Sequence, residues 1–333
     1  MSARSDLTPH MFAYAEKFAD NGAVRWLPHL VYFHPADHRS SVVNTDAAGF
    51  RYSHRGSARY SVADHQTIDS VRLIAGSSTV FGIGASSDKW TLASRLSAHD
   101  QREQPWLNLG GRSFNSTQEL LLFVLHRHLL PRVDEIVLFS GFNNLGLARM
   151  PESREEEHGT FFLYHRWHEL LDNQGQQPKG LLGVLRKKDH LPPARRAVPA
   201  IEEQLRYAAD LTIRHLDVWR TLAADWGAKL TFVLQPLSGW VRPRGTVQEE
   251  ALFAELDAIG RFSEEYGDIL RPEIGTEYAA LLETRAKAMG VGFVNMSPVL
   301  SASLRDDQWL FVDRIHFTDD GHDFVARRIL DVI

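Results

Sequence analysis

Cysteine is absent from the 333 residues. Disulfide frameworks, thiolate nucleophiles and cysteine metal sites are excluded with it. Long apolar runs are missing too. The run LLLFVL at 120–125 falls far short of the roughly 20 residues that a membrane helix needs. The opening MSARSDLTPHMFAYAEKFAD contains no apolar signal core, so no membrane span and a cytoplasmic location are expected. Basic clusters are scarce and the net charge is −5, which argues against a nucleic-acid partner. The 16 His residues are scattered, with no CxxC spacing. Neither a metal nor another cofactor is therefore expected.

What is present is ordinary globular material, 44% apolar and 24% charged, enough for a sizeable core. The first 70 residues have few clear periods. They suggest a short helix over 9–21 followed by irregular or β structure. Beyond them, short apolar runs alternate with helical patterns. VRLIAG, PWLNLGG, EIVLFSG, KLTFVLQP and VGFVNMS read as strands. Between them lie WTLASRLSA, STQELLLFVLHRHLL and the long amphipathic IEEQLRYAADLTIRHLDVWRTLAADWG, then QEEALFAELDAIGRFSEEYG and TEYAALLETRAKAMG. DDGHDFVARRILDVI closes the chain as a last helix. Ser116 and Glu119 suggest a capping box, and Gly227 a helix stop. This alternation predicts an α/β protein, a three-layer α/β/α sandwich with a parallel sheet of about five strands.

In such sheets chemistry sits at the C-terminal strand ends. The first strand runs into Gly76-Ser77-Ser78. The second runs into NLGGRS, from Asn108 to Ser113. The third ends in GFNN, carrying Asn143 and Asn144. After the fifth comes DRIH, with Asp313 and His316 three residues apart. These ends offer a hydroxyl nucleophile, amide donors and a base with its carboxylate.

These four blocks, in this order, resemble those of the SGNH/GDSL hydrolases. The resemblance covers roughly Val71 to the C-terminus. NTDAAGFR, from Asn44 to Arg51, is similar to an upstream element of some members. The resemblance implies a flavodoxin-like fold and an acyl-enzyme mechanism. Ser78 is the implied nucleophile, with Ser77 as its rival neighbour. His316 is the implied base and Asp313 its orienting partner. The implied oxyanion donors are the backbone N–H of Ser78, that of Ser113 or alternatively Gly111, and the Asn143 side chain. The chain departs from the family where Ser77 and Asn144 each replace an aspartate.

The expected division is a 1–70 extension packed on the core and a 71–333 hydrolase-like domain. The segment 147–200 is expected to form an inserted cap or lid. Its Phe161, Phe162, Tyr164 and Trp167 suit an acyl or ring-binding wall, and its Lys187, Lys188, Arg195 and Arg196 suit an anionic substrate group. Gln235, after the fourth strand, is a further candidate to face substrate. The expected function is hydrolysis of a carboxylic ester of a small molecule or carbohydrate. Acyl transfer through the same residues, or a binding protein that has lost catalysis, are the alternatives. The sequence carries no signal for oligomeric state.

Overall fold

A computed structural model describes residues 2–18, 24–65, 68–174, 197–260 and 262–333. Two short hairpins precede the main sheet: β1 (Arg25–Leu27) with β2 (Val31–Phe33), and β3 (Ser53–Arg55) with β4 (Ala58–Tyr60). The sheet itself has five parallel strands: β5 (Ser70–Gly76), β6 (Trp106–Gly110), β7 (Arg132–Ser140), β8 (Lys229–Leu234) and β9 (Gly292–Asn295). Their spatial order is β6-β5-β7-β8-β9. Counted within this sheet, that is the 2-1-3-4-5 order of flavodoxin-like folds, as expected.

The near-continuous apolar strands follow from burial on both faces. Successive side chains point to opposite faces. Leu73, Ala75, Leu107, Leu109, Ile136, Leu138, Phe232 and Leu234 join one core. There they meet Leu122 and Phe123 of the helix Ser116–His126, Trp219 of Ile201–Trp226, and Leu282 of Pro272–Ala288. Ile74, Trp106, Val137, Phe139 and Val233 join the other core. That face is covered by Leu96 of Leu92–His99, Leu300 of Met296–Ser301, and Val325 and Ile329 of Asp319–Val332. Each fully buried aliphatic side chain contributes roughly 1.5–3 kcal/mol.

Local details differ from the sequence expectations in two places. The helix expected over 9–21 is a 3₁₀ turn, Pro9–Met11, followed by Phe12–Ala15, and residues 19–23 lie outside the described residues. The capping box is set one residue earlier than expected. Asn115 caps and Gln118 reaches back, which releases Glu119 to the interior. Of the helix expected over 248–267, the described residues Val247–Gly260 and Phe262–Tyr266 are helical. Gly227 does stop its helix, at φ +65°.

Among the described residues before the main sheet, β3 lies against its edge strand β6. Ser53 donates to the Trp106 carbonyl at 2.7 Å. Phe18 stacks on Phe81 at 5.3 Å. Of the 147–200 segment, the structure describes the part to 174 and from 197 onward. It includes a 3₁₀ turn, Pro151–Arg154, and the helix Tyr164–Gln174. Lys187, Lys188, Arg195 and Arg196 lie outside the described residues.

Candidate active site

The chain must turn sharply after β5. A Cβ on Gly76 would sit 2.2 Å from the Phe139 carbonyl oxygen, so no larger residue fits. The turn leads through Ser77 into a single helical turn, Ser78–Phe81. Ser78, in its first position, has a backbone N–H with no acceptor within the helix. Both serines are buried, but they differ in partners. Ser78 Oγ lies 2.7 Å from His316 Nε2. His316 Nδ1 lies 2.7 Å from Asp313 Oδ2.

One short loop delivers both the base and its carboxylate. Asp313 Oδ1 accepts from the N–H groups of Ile315 at 2.8 Å and His316 at 2.7 Å. The helix Asp319–Val332, capped by Thr318, anchors the loop's far side. Burial works to raise the Asp313 carboxyl's pKa, but the His316 ring and the two backbone donors outweigh it. The net result is a pKa below the ordinary aspartate value. With Asp313 ionised, Nδ1 carries the proton and donates to it. The Nε2 lone pair is then aimed at the Ser78 hydroxyl.

The second strand end distinguishes its two candidate donors. Gly111 spends its N–H on the Gly76 carbonyl at 2.9 Å, extending the β5–β6 pairing. Ser113 instead lines a pocket together with Ser78, Asn143 and His316. Its backbone is left-handed, at φ +57°, a conformation that costs any residue with a Cβ. Two side chains hold this loop. Tyr32 donates its hydroxyl to the Ser113 carbonyl at 3.0 Å. His34 Nε2 accepts from the Arg112 N–H at 3.0 Å. Burial, then the nearby Arg112, hold the His34 pKa well below the ordinary histidine value, so the ring accepts as the neutral form.

At the third strand end, Asn143 Nδ2 donates to the Phe114 carbonyl at 2.6 Å. This bond uses one amide hydrogen and fixes the amide plane against the second block. Asn144 faces away from the pocket. Its Nδ2 donates to Ser116 Oγ and Thr212 Oγ1, each at 2.7 Å, and its Oδ1 accepts from the Ser116 N–H at 3.1 Å. Asn144 therefore braces the helices behind the site.

The region around the nucleophile turn is tied down from outside the four blocks. Arg51 is fully buried and pairs with Asp88 at 2.7 Å. It also donates to the carbonyls of Gly82 at 2.8 Å and Val42 at 2.6 Å. Asn44 Nδ2 reaches the other Asp88 oxygen at 2.8 Å. Asn108 Nδ2 donates to the Val80 carbonyl at 2.9 Å. Thus NTDAAGFR fastens the loop after Ser78, and Asn108 supports it from below.

The expected substrate contacts are corrected. Gln235 is buried and does not line the pocket; its amide donates to Thr79 Oγ1 at 2.8 Å, beneath Ser78. Trp167 packs 5.4 Å from Trp26, and Phe161 packs 5.6 Å from Tyr164. Neither lines the pocket, whereas their neighbour Phe162 does. The remaining apolar walls are Phe142, Phe262, Tyr266 and Ile315. Sequence reasoning missed Phe262, Tyr266 and Ile315. The position of Ile315 beside His316 was the available signal.

This pocket holds about 250 Å³. A second, of about 280 Å³, adjoins it at Phe262, Ile315 and His316. Among the described residues, no group of three or more His, Asp or Glu side chains is arranged to hold a metal ion. Nor is any helix among them long and apolar enough to cross a membrane.

No protein-family model matches the chain, and no curated protein matches it. Solved structures do show similarity. One is an extracellular lipase from Streptomyces rimosus, at 12% identity, covering 80% of this chain and 100% of that one, with a TM-score of 0.44. Another is a member of the lipolytic G-D-S-L family from Veillonella parvula, at 11% identity over 79% and 98% of the two chains, with a TM-score of 0.42. A third is the acetyl xylan esterase AlAXEase, at 11% identity over 79% and 99%, with a TM-score of 0.40. The chemistry considered next rests on the geometry of this chain alone.

Proposed function

We propose that this chain is an SGNH-type serine esterase that cleaves carboxylic esters through an acyl-enzyme on Ser78. The observation that carries this reading is the relay Asp313–His316–Ser78, closed by two contacts of 2.7 Å. His316 takes the hydroxyl proton as Ser78 Oγ attacks the ester carbonyl. Asp313 stabilises the imidazolium that results. The Ser78 and Ser113 backbone N–H groups and the Asn143 amide receive the oxyanion, each worth roughly 3–4 kcal/mol of barrier. His316 then returns the proton to the departing alcohol, and water repeats the cycle in reverse.

The same acyl-enzyme serves transfer when a hydroxyl or amine acceptor replaces water. The aromatic walls Phe142, Phe162, Phe262 and Tyr266 favour this second reading by limiting water. Product analysis with and without an added acceptor separates the two. The intact relay counts against a binding protein that has lost catalysis.

The test is intact-mass analysis after treatment with a fluorophosphonate, with peptide mapping. One adduct is expected on Ser78, absent from Ser78→Ala and from His316→Ala. An adduct on Ser77, or none on folded protein, overturns the reading.

A further inference from the structure

We infer that the pocket beside His316 is the subsite for the alcohol portion of the ester, and that it selects a neutral, single-ring alcohol. This rests on the esterase reading above. The two adjoining pockets divide the site. The one containing Ser78, Ser113 and Asn143 surrounds the acyl carbonyl and the acyl group. The other contains Asp313, Arg314 and His316 but neither Ser78 nor Asn143. It therefore lies on the acid–base side of the relay. When the tetrahedral intermediate collapses, the carbon–oxygen bond to the alcohol breaks. The Nε2 proton passes to that oxygen, and the acyl group stays on Ser78. The alcohol oxygen must then be within reach of His316, and the rest of the alcohol occupies the space beyond.

The walls of that space are largely apolar: Phe253, Leu256, Phe262 and Ile315. Its charges are already matched. Arg314 pairs with Asp257 at 2.7 Å, and each side chain is only about a quarter exposed. Asp257 also accepts from Ser263 Oγ at 2.6 Å and from the Ser263 N–H at 3.0 Å. The Arg314 guanidinium lies over the Phe253 ring at 4.9 Å. Asp313 is committed to His316. Among the described residues of this lining, no charge is left over to recruit an ionic ligand, and a sugar ring would find few hydrogen-bonding partners along these walls. The volume of about 280 Å³ lies just under the range of roughly 300–1,000 Å³ usual for drug-sized ligands, which suits one ring.

Gly260 lines the pocket and offers a position at which a side chain can be added. A Cβ on Gly260 meets nothing within 4 Å, and its backbone is not left-handed. The experiment measures binding of benzyl alcohol and of methyl glucoside to the full chain by saturation-transfer NMR. It uses wild type, Gly260→Phe and, as a second filling variant, Leu256→Trp. Circular dichroism checks folding, and fluorophosphonate labelling of Ser78 runs in parallel on wild type. Millimolar binding of benzyl alcohol is expected in wild type, about tenfold or more weaker in a folded filled variant, with methyl glucoside unbound. Benzyl alcohol that does not bind, or binds the filled variants unchanged, overturns the assignment while Ser78 labelling stands. Methyl glucoside binding as well as benzyl alcohol overturns the apolar selection. Binding without Ser78 labelling overturns the esterase reading and, with it, the pocket's role.

Discussion

Two charged clusters sit toward opposite ends of the sheet, and both are largely withdrawn from water. Toward the N-terminal end, Asp100 accepts from Arg102, from Trp106 Nε1 at 2.9 Å and from Arg72 at 3.4 Å. Glu135 pairs with Arg102 at 2.9 Å and with Arg72 at 3.5 Å. At the C-terminal end, Asp313 pairs with a histidine that in turn faces a hydroxyl. The carboxylates are alike; the partners differ. An arginine does not give up its proton, so the first cluster has one charge state across the ordinary pH range. An imidazole can take a proton on one nitrogen and give it up again, so the second can pass one along. One end can only hold the strands, whereas the other can do work on a bound molecule.

The contrast can be broken at either end. The largest effects belong at the C-terminal end. His316→Ala should lower kcat by about 10⁴-fold or more, and Asn143→Ala by about 10²–10³-fold, in steady-state assays on an ester found to be a substrate. Both variants should remain folded, because neither side chain carries a core contact comparable to the strand residues. Near-normal turnover in His316→Ala would remove the difference between the two clusters.

At the other end, Asp100→Asn should cost stability and spare kcat per folded molecule. Burial raises the Asp100 pKa, but the Arg102 and Trp106 hydrogen bonds and the nearby Arg72 more than reverse it, to about 2 against an ordinary 3.8. The stabilisation is therefore present above pH 3.8 and is lost as pH falls toward 2. Its size is about 2 kcal/mol, discounted for the half-exposed Arg102. Urea melts of the variant and wild type at pH 7 check this, and a fall in kcat without a fall in stability would contradict it.

A third carboxyl sharpens the comparison. Glu119 is fully buried, and Ser140 Oγ lies 2.8 Å from both its oxygens. Burial, only partly offset by Ser140, pushes its pKa from 4.5 up to about 8. A raised folded pKa means that the native state holds a proton the unfolded chain has released. The associated stability is full below pH 4.5 and is lost as pH rises through about 8. Glu119→Gln should flatten the fall in Tm between these values, a comparison open to calorimetry at several pH values. A slope unchanged by the substitution would mean that Glu119 is ionised in place.

Much of the fold was legible because period and composition are local. The apolar runs at 71–76, 106–110 and 135–140 are strands because alternate residues fill two different cores, and the run itself reports that double burial. The candidate site was legible for a related reason. Strand ends in a parallel sheet collect at one edge, so short blocks far apart in sequence share a neighbourhood. The misreadings fall where packing decides. Gln235 sits at such a strand end, yet its side chain turns under Ser78 to reach Thr79. Phe161 and Trp167 have the chemistry of a pocket wall, but other parts of the molecule claimed them. The capping box slipped by one residue because Asn115 takes the Gln118 amide while Ser116 Oγ is engaged with His215 and Asn144.

The sequence by itself determined the order of strands and helices, the glycine required at position 76, and a carboxylate three residues before its histidine. Each is a property of neighbouring residues and of the backbone they permit. Only the tertiary structure decided that Ser78 rather than Ser77 meets His316, and that Gly111 spends its N–H on Gly76. It alone brought Phe253, Phe262 and Ile315 around the far side of His316. Those choices depend on distances between segments separated by tens to hundreds of residues, which are set when the two cores close around the sheet.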